Sequence, residues 1–511
     1  MKRFLFFLLM LAVLSALLTA CGQNPPTPTE APQPPENIPD DNCRNWYEIF
    51  VYSFADSDGD RIGDLRGATE KLDYVRDMGF TGIWLMPIMP SPSYHKYDVT
   101  DYYSIDPAYG TLEDFQAFLE KAHSLGIKVI LDLVLNHTSN QHPWFQDAKT
   151  GENAAYRDYY NFQSESASGY QQLGDSYYEC RFVSTMPDLN LDSAAVRDEI
   201  VNIMTYWLDM GVDGFRLDAV TSYYTGNNGK NIEFLSWLNE EAKRIDPDCY
   251  MVGECWADES TIVNYYTGGI DSFFCFPLST GSGKGELAAI LDEEATARGA
   301  AYGELTMHLE ERYGTDILMA PFLDNHDTDR IASVVGVYSL ERLKIAYGML
   351  SMLRGGTYVY YGGETGMIGT GADPNKRIGM LWTTLPETTA CPPGTTEAKY
   401  PLESVEKQQA DENSLLNYVR SAMCLRNAYP AIARGTTEML PTQDEDLCLL
   451  RRTWDGESIL IVLNLSAEKK SVPVDAQVLL SVLDANTAHG IGAAYENATL
   501  TLDPWGIAIL R

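Results

Sequence analysis

The sequence predicts an α/β protein whose largest part is an eight-stranded parallel (β/α)8 barrel. Eight short apolar runs recur between residues 47 and 364, helical patterns separate them, and no glycine-rich phosphate-binding turn follows an early run. Alternating strand and helix patterns favour parallel strands joined by right-handed crossovers, and eight such units close a barrel. An open doubly wound sheet is the alternative, which the missing glycine-rich turn disfavours.

Each apolar run has the length of a buried strand. The runs lie at 47–54, 82–87, 128–135, 214–220, 250–255, 272–277, 317–324 and 357–364. Residues 112–126 and 196–211, between runs, carry apolar side chains at three- and four-residue spacing and end on glycine, as amphipathic helices do. We therefore expect the barrel to occupy residues 43–428.

Two segments depart from this alternation. Residues 138–190, after the third run, are too long for an ordinary strand-to-helix loop and are rich in Tyr, Ser, Gln and Asn, which predicts an excursion domain. Over residues 429–511 the helical patterns give way to runs such as SILIVLNLS, which predict a separate antiparallel β domain.

The N-terminal segment has the layout of an export signal. Lys2 and Arg3 precede an apolar run too short for a stable membrane anchor, and small residues follow it. The stretch LTACG resembles a bacterial lipobox, so residues 1–21 are predicted to be a lipoprotein signal peptide with Cys21 as the lipid-attachment site. An ordinary signal peptide with a chance cysteine is the alternative. The protein is predicted to lie at the extracytoplasmic face of the cell membrane and to be held there only by the lipid.

Residues 22–42 hold seven prolines and no aromatic residue, a composition that favours an extended, solvated linker. Eight cysteines follow Cys21, and in an exported protein some can pair, although the sequence does not determine the pairing. Cys249 and Cys255 bracket a predicted strand whose ends lie beyond disulfide reach.

The charge balance limits the classes of partner. Lys and Arg number 37 against 72 Asp and Glu, a formal net charge of −35 over 511 residues. So negative a surface repels phosphate backbones and anionic lipid, and we expect no nucleic-acid partner. It suits a neutral substrate, high solubility or divalent cations, and the charge alone does not choose among these.

Reactive side chains of such a barrel belong at the C-terminal ends of its strands. Four predicted strand ends carry a carboxylate, in DLVLNH (132–137), FRLD (215–218), GEC (253–255) and DNHD (324–327). A carboxylate at a buried strand end is costly unless it is paired or used. Four of them, with an arginine and two histidines nearby, favour a reactive site over a structural explanation.

These carboxylates match the needs of retaining glycoside cleavage, in which a nucleophile and a proton donor lie roughly 5–5.5 Å apart. Asp218 and Glu254 end adjacent strands, and Arg216 points the same way as Asp218, which favours an ionised nucleophile. Glu254 has no cation beside it in sequence, so we expect burial to raise its pKa and keep it protonated as the general acid.

Three further residues complete this predicted site. Asp327 is a third carboxylate, suited to stabilising positive charge on the sugar ring. His137 and His326 are expected to donate hydrogen bonds to sugar hydroxyls.

The motifs, in their order and spacing, resemble the signature regions of the α-amylase family of glycoside hydrolases. The matching stretches are DLVLNH, MPDLN, GFRLDAV, GECW and FLDNHD. The likeness covers nearly the whole chain after residue 46. It implies a catalytic (β/α)8 TIM barrel, an inserted domain B at 138–190 after strand 3, a C-terminal antiparallel β-sandwich at 429–511, and a retaining mechanism on α-glucosidic bonds.

By motif, Asp218 resembles the family's nucleophile, Glu254 its acid/base and Asp327 its transition-state stabiliser, while Asp132 resembles a structural aspartate. The residues implied to bind substrate or position the nucleophile are Arg216, His137, His326, Tyr94, Tyr97 and Asp98.

The last three of these lie in SYHKYDVTDYY (93–103), which resembles the stretch that lines the subsite of the reacting sugar. Tyr94 or Tyr97 is expected to stack on the ring, with Asp98 as support. Structural packing of the tyrosines is the alternative.

A calcium loop is predicted just after the first strand, in DSDGDRIGD, where oxygen ligands alternate along the chain and Gly59 eases the turn. The predicted ligands are Asp56, Asp58, Asp60, the carbonyl of Ile62, and Asp64. Relatives with this pattern bind calcium, and a solvated acidic turn is the alternative. The resemblance also implies a second calcium site at Asn136 and Asp188, although Thr221-Ser222 stands where those relatives have Lys-His.

The predicted activity is endo-acting hydrolysis of α-1,4-glucosidic bonds in starch or maltooligosaccharides by a monomer. Tyr94 stands where glucose-trimming relatives carry an acid, and Ala219 is nearer the α-1,4 type than the valine of strict 1,6-glucosidases. MPDLN leaves mixed α-1,4/α-1,6 cleavage open, and glucosyl transfer through the same covalent intermediate is a further alternative. A non-catalytic glycan-binding surface lipoprotein is the third, disfavoured because all three carboxylates are present.

Overall fold

The structure is a computed structural model, and it describes residues 38–336, 339–383, 389–485 and 492–511. The predicted signal peptide, with Cys21, lies outside the described residues, as does the linker up to residue 37. Within the described ranges, no helix combines the length and the apolar character needed to cross a membrane.

The strands of the described chain divide among four sheets. In chain order they are β1 (Asn45–Ile49), β2 (Gly82–Leu85), β3 (Lys128–Leu133), β4 (Phe162–Gln163), β5 (Tyr170–Leu173), β6 (Ser176–Glu179), β7 (Gly214–Leu217), β8 (Tyr250–Gly253), β9 (Ser272–Phe274), β10 (Leu318–Ala320), β11 (Thr357–Tyr360), β12 (Thr436–Leu440), β13 (Leu447–Trp454), β14 (Glu457–Asn464), β15 (Lys470–Pro473), β16 (Leu479–Asp484), β17 (Ala493–Glu496), β18 (Thr499–Leu502) and β19 (Gly506–Leu510).

The largest sheet is the barrel. Its strand order is β10-β9-β8-β7-β3-β2-β1-β11, all pairs are parallel, and a parallel bridge between Phe322 and Tyr358 joins the two edge strands. The predicted (β/α)8 barrel is therefore confirmed, with one strand in each of the eight apolar runs.

The strands are shorter than the runs that predicted them. The run at 47–54 contains the end of β1 and then a short helix, Val51–Phe54, whose Phe54 is fully buried. An apolar run indicates that its residues are buried, and these residues stay buried after the chain leaves the barrel strand.

Helices lie between successive barrel strands along the chain. The described α-helices are Val51–Phe54, Leu65–Glu70, Leu72–Asp77, Leu112–Ser124, Pro143–Ala148, Ala194–Asp209, Asn228–Ile245, Glu259–Tyr265, Glu286–Ile290, Arg298–Tyr313, Leu340–Ser351, Asp373–Lys376, Val405–Ala410, Leu415–Ala428 and Ala431–Arg434. The patterns at 112–126 and 196–211 thus form helices, as predicted. Thr111 caps the first through a reciprocal capping box.

Within residues 138–190, β4, β5 and β6 form a small antiparallel sheet in the order β4-β6-β5. This excursion is attached to the end of β3 by an isolated bridge between His137 and Asp188. The backbone N–H of Leu189 also donates to the carbonyl oxygen of Asn136 at 2.9 Å. These contacts place the excursion at the C-terminal face of the barrel.

The C-terminal region has two antiparallel sheets, in the orders β12-β13-β14-β19-β16 and β15-β18-β17. Leu449 and Val462 of the larger sheet pack in one buried cluster with Leu500 of the smaller. Two sheets packed on a shared apolar core form the predicted β-sandwich.

All eight cysteines of the described residues are unpaired. Cys249 and Cys255 stand at either end of β8, as the sequence predicted, and both are buried.

Candidate active site

Side chains at the C-terminal end of the barrel line one pocket of about 430 Å³. Asp218 follows β7, Glu254 follows β8 and Asp327 lies in the segment after β10, and all three line this pocket. His137, after β3, joins them. The structure therefore brings together the three carboxylates selected from the sequence.

Arg216 connects the first two carboxylates. Its Nη1 donates to Asp218 Oδ1 at 2.7 Å, and its Nη2 lies 2.9 Å from Glu254 Oε1. The guanidinium is fully buried and also donates to Asp132 Oδ1 at 2.9 Å. The pairing with Asp218 was predicted. Glu254 has no cation beside it in sequence, but it has one in space, because the register of β7 and β8 sets Arg216 beside Val252.

Burial raises the pKa of Glu254 to about 7 in spite of Arg216, and the charges of Asp218 and Asp327 act in the same direction as burial. The backbone N–H of Ala219 donates to Glu254 Oε2 at 2.9 Å. Ala219 has a left-handed backbone, with φ of 49°, a conformation that costs about 1–3 kcal/mol for a residue other than glycine. Glu254 is thus a carboxyl that can hold its proton near neutral pH.

Asp327 has a different environment. His326 Nε2 lies 3.1 Å from its Oδ2, and Arg377 Nη2 donates to its Oδ1 at 2.6 Å. Burial alone would raise the pKa of Asp327, but the two cations hold it well below its usual value. Lys376 Nζ donates to the backbone oxygen of Asp327 at 2.7 Å and holds the segment in place. Asp327 therefore stays ionised.

His326 is fully buried behind the pocket and is not part of its lining. Its Nδ1 lies 2.6 Å from Glu48 Oε1, and its Nε2 lies 2.8 Å from the hydroxyl of Tyr97. Both ring nitrogens thus face protein oxygens in place of the predicted sugar hydroxyls. The sequence does not reveal this, because Glu48 precedes His326 by 278 positions.

His137 does face the pocket. Its buried Nε2 has no hydrogen-bond partner among the described residues, and burial lowers the pKa of the ring. A neutral imidazole with a free nitrogen at the pocket wall is suited to a ligand hydroxyl.

The two candidate tyrosines separate in the structure. Tyr97 lines the pocket, whereas Tyr94 is absent from its described lining and packs edge-on against Phe50, with ring centroids 6.3 Å apart. The guanidinium of Arg377 lies 5.8 Å from the ring of Tyr94. Asp98 is buried and accepts hydrogen bonds from two serines of its own loop, so it supports the loop.

Sequence reasoning missed three polar residues that line the pocket, namely His95, Asp373 and Arg377. His95 stands between the two candidate tyrosines, and that position was its only signal. Arg377 follows Asp327 by 50 positions, in a segment with no strand-end motif. Burial lowers the pKa of His95 to about 4, so its ring is neutral at pH 7.

It also missed two exposed aromatic residues of the same lining. Phe182, from the excursion, is 52% exposed, and Trp256, from the segment after β8, is 46% exposed. Trp256 stacks on Phe276 with ring centroids 4.9 Å apart and planes at 15°, which fixes one face and leaves the other open. Exposed aromatic faces beside a polar pocket are suited to the apolar face of a sugar ring.

The acidic loop partly matches its prediction. Carboxylate oxygens of Asp56, Asp58 and Asp64 lie within 4.8 Å of one another, a donor set that fits calcium. Asp60 is outside this group, and its Oδ1 accepts from the backbone N–H of Ile62 at 2.6 Å. The side chain of Ile62 is half-buried.

The second candidate calcium position lies where the barrel meets the excursion. Asn136 Nδ2 is 3.4 Å from Asp188 Oδ1, and the N–H of Arg181 donates to Asp188 Oδ2 at 3.2 Å. Burial raises the pKa of Asp188 to about 7. A buried carboxylate of this kind is stabilised by a bound cation, so these residues also fit a calcium ion.

Comparison with known proteins identifies the family of the chain. The alpha-amylase catalytic-domain family matches residues 48–435. Alpha-amylase 3 of Dictyoglomus thermophilum is 39% identical over 490 residues, which cover 91% of this chain and 92% of that protein. The 4-alpha-glucanotransferase of Thermotoga maritima is 32% identical over 450 residues, 83% of this chain and 96% of that one. The solved structure of Eubacterium rectale Amy13B has a TM-score of 0.88 at 40% identity, covering 93% of this chain and 97% of that one.

The closed barrel and its acid-lined pocket define an enzyme that acts on glycosidic bonds. The chain belongs to the alpha-amylase family of glycoside hydrolases and transferases.

Proposed function

We propose that the protein is a retaining, endo-acting hydrolase of α-1,4-glucosidic bonds in starch and maltooligosaccharides. The observation that carries this proposal is the shared guanidinium of Arg216, which contacts Asp218 at 2.7 Å and Glu254 at 2.9 Å. One cation thus holds two carboxylates at the ends of adjacent strands, and burial raises the pKa of one of them, Glu254, to about 7. A nucleophile beside a protonated acid is the pair that retaining cleavage requires.

In the first step, Asp218 Oδ attacks the anomeric carbon as the bond to the leaving oxygen breaks, and Glu254 gives its proton to that oxygen. In the second step, Glu254 takes a proton from water, the water oxygen attacks the anomeric carbon, and the bond to Asp218 breaks. The proton taken from water replaces the one given to the leaving oxygen, so the enzyme ends as it began.

Asp327 is proposed to stabilise the positive charge that develops on the sugar ring in both steps. It suits this role because it stays ionised and lines the same pocket. A fixed carboxylate in a site that excludes water stabilises developing positive charge more strongly than bulk water does. His137 and Tyr97, which also line the pocket, are the proposed contacts to the sugar at the cleavage point.

Internal cleavage of α-1,4 bonds is supported by the aromatic lining and by the relatives. Phe182 and Trp256 offer exposed ring faces on which further glucose units can stack. The Dictyoglomus relative is named an alpha-amylase. Tyr94 stands where glucose-trimming relatives carry an acid, so this position supplies no carboxylate that would restrict the pocket to a chain end.

The test is the product pattern from maltoheptaose labelled at its reducing end. We expect early products of intermediate length from wild type and none from Asp218→Asn, with the first-formed sugar in the α-configuration by NMR. Release of glucose alone would contradict internal cleavage, and exclusive action on isomaltose would overturn the α-1,4 assignment. Inactive wild-type protein would favour a binding function.

A second candidate function is glucosyl transfer, supported by the 4-alpha-glucanotransferase of Thermotoga maritima. The same two aromatic faces, Phe182 and Trp256, would hold an acceptor sugar as readily as a leaving one. Incubation with maltotriose separates the two: a hydrolase yields only shorter sugars, and a transferase accumulates longer ones. In a separate assay, release of maltotriose from pullulan would show cleavage of α-1,6 bonds and hence mixed α-1,4/α-1,6 action.

We also propose that calcium binds the loop at Asp56, Asp58 and Asp64, and that a second ion joins Asn136 and Asp188. The first set supports the proposal through three carboxylates within 4.8 Å, and the second through a buried carboxylate beside an amide. Neither ion takes part in bond cleavage. Each would hold a loop at the C-terminal end of the barrel in place.

A further inference from the structure

Glu48 is a buried carboxylate inside the barrel that the mechanism above does not use. It lies on β1, in register with Trp84 on β2 and Tyr360 on β11, and is 1% exposed. Side chains alternate along a strand, so Glu48 shares the inward face with Trp46, which stacks between Tyr250 and Tyr358. A carboxylate in so apolar a place is costly unless a cation offsets it.

The partner of Glu48 is His326. Glu48 Oε1 lies 2.6 Å from Nδ1, while Nε2 lies 3.1 Å from Asp327 Oδ2 and 2.8 Å from the hydroxyl of Tyr97. An ionised carboxylate only accepts hydrogen bonds, so a carboxylate at each end of one ring requires both ring nitrogens to donate. His326 therefore fits as an imidazolium between two carboxylates.

Other side chains also surround the ring of His326. Trp84 meets the ring edge-on at 5.5 Å, and Tyr97 stacks parallel to it at 5.4 Å. Arg377 donates to the backbone oxygen of His326 at 3.0 Å, and the Asp132 carboxylate and the Arg216 guanidinium lie close by in the barrel interior. Burial alone would lower the pKa of His326, but Asp327 and Glu48 raise it to about 9.

We propose that Glu48 is a positioning residue for glycoside cleavage, acting through His326 to keep Nε2 a donor that orients Asp327 in the pocket. This inference rests on the proposed hydrolysis and extends it to a residue that does not line the pocket. Without the charge of Glu48, the buried ring favours its neutral form, which carries a single N–H. With that proton on Nδ1, Nε2 no longer donates to Asp327. Of the two cations that contact Asp327 in the described chain, Arg377 would remain.

The first test observes the ring itself, by NMR of wild-type protein labelled with [15N]histidine. Burial lowers the pKa of His95, His137 and His142, so each of these rings carries one proton at pH 7. We expect one buried, slowly exchanging ring with both nitrogens protonated at pH 7, and its disappearance in Glu48→Gln. Absence of such a ring in wild type, or its persistence in Glu48→Gln, would overturn the proposal.

The second test is kinetic and uses maltoheptaose. We expect Glu48→Gln to lower kcat by about 10- to 100-fold through a misplaced Asp327, with KM changed by less than about threefold. Glu364→Gln is the matched control, because Glu364 is also a fully buried barrel carboxylate but accepts from Tyr47 and Tyr74, each at 2.7 Å.

A purely structural role for Glu48 predicts equal losses of kcat and of melting temperature in the two variants, and that result would contradict the proposal. If wild type fails to cleave any α-glucan, the proposed function fails. The NMR signature still tests the contact between Glu48 and His326 in that case.

Discussion

The pocket and the acidic loop after β1 each hold several carboxylates close together, but the negative charge is offset in a different way in each. In the pocket, Arg216 contacts two carboxylates, and Arg377 and His326 contact a third. In the loop, none of the three clustered aspartates has an ion pair within the described part of the chain. Backbone N–H groups donate to them instead, as at Asp56.

The difference separates a permanent arrangement from an exchangeable one. Buried protein cations cannot leave, so His326 and Arg377 keep Asp327 ionised, whereas at Glu254 burial outweighs Arg216 and raises the pKa to about 7. The loop has oxygen ligands in place and no paired cation among the described residues, so the proposed calcium ion would balance its charge. The pocket is therefore tested by substitution and by pH, and the loop by chelation.

The largest effect is expected from Glu254→Gln, which removes the proton donor but keeps its shape. We expect kcat/KM on maltoheptaose to fall by about 10²–10⁴-fold, and kcat/KM on a maltoside with an acidic aryl leaving group, whose departure needs no proton, to fall much less. Asp218→Asn is the matched control and should lose activity on both substrates equally. Equal losses for Glu254→Gln would show that Glu254 is not the acid.

Arg377→Met comes next, because it removes one of the two cations that contact Asp327. The pKa of Asp327 should rise toward its ordinary value, so activity should be lost at a higher pH on the acid side, with kcat reduced by about 10- to 100-fold. Arg66→Met, which breaks an exposed pair with Asp114, is the control. An unchanged acid limb would contradict the assigned role of Arg377.

The alkaline limb of the wild-type pH–activity profile should follow the loss of the proton from Glu254. Burial raises its pKa to about 7, so the protonated, active form dominates below that pH and declines above it. We expect kcat/KM to fall about tenfold per pH unit once the pH exceeds 7. A rate that stays level to pH 9 would mean that the proton donor has another identity or another pKa.

The smallest effect is expected from removing calcium. Chelation should lower the melting temperature by roughly 3–8 °C, since an ion that binds only the folded state stabilises it by mass action. Asp58→Asn should reproduce much of this loss, whereas Asp60→Asn should have little effect because Asp60 lies outside the clustered group. Equal responses of the two variants would show that the loop holds its ion differently.

Much of the fold was predictable because burial leaves a periodic record in the sequence. All eight apolar runs contain a barrel strand, and the two clearest helical patterns became Leu112–Ser124 and Ala194–Asp209. The extents were less predictable. The run at 47–54 changes from strand to helix while staying buried, because its apolar pattern records the core and not the backbone conformation.

The residues of the site likewise divide into those that the sequence could identify and those that it could not. Asp218 and Glu254 were identifiable because a barrel places strand ends at one face, and Arg216 because it lies two residues before Asp218 on the same strand. The second contact of Arg216, with Glu254, depends on the register of β7 against β8. Arg377 had no local signal at all.

By itself, the sequence determined which acids stand at strand ends and which segments are apolar enough to form a closed barrel, because these properties are local. Only the tertiary structure decided the state of each acid. A pKa depends on burial and on neighbours, and the neighbours of Asp327 and His326 lie 50 and 278 positions away. Barrel closure brings Glu48 to His326, and no pattern along the chain encodes that distance.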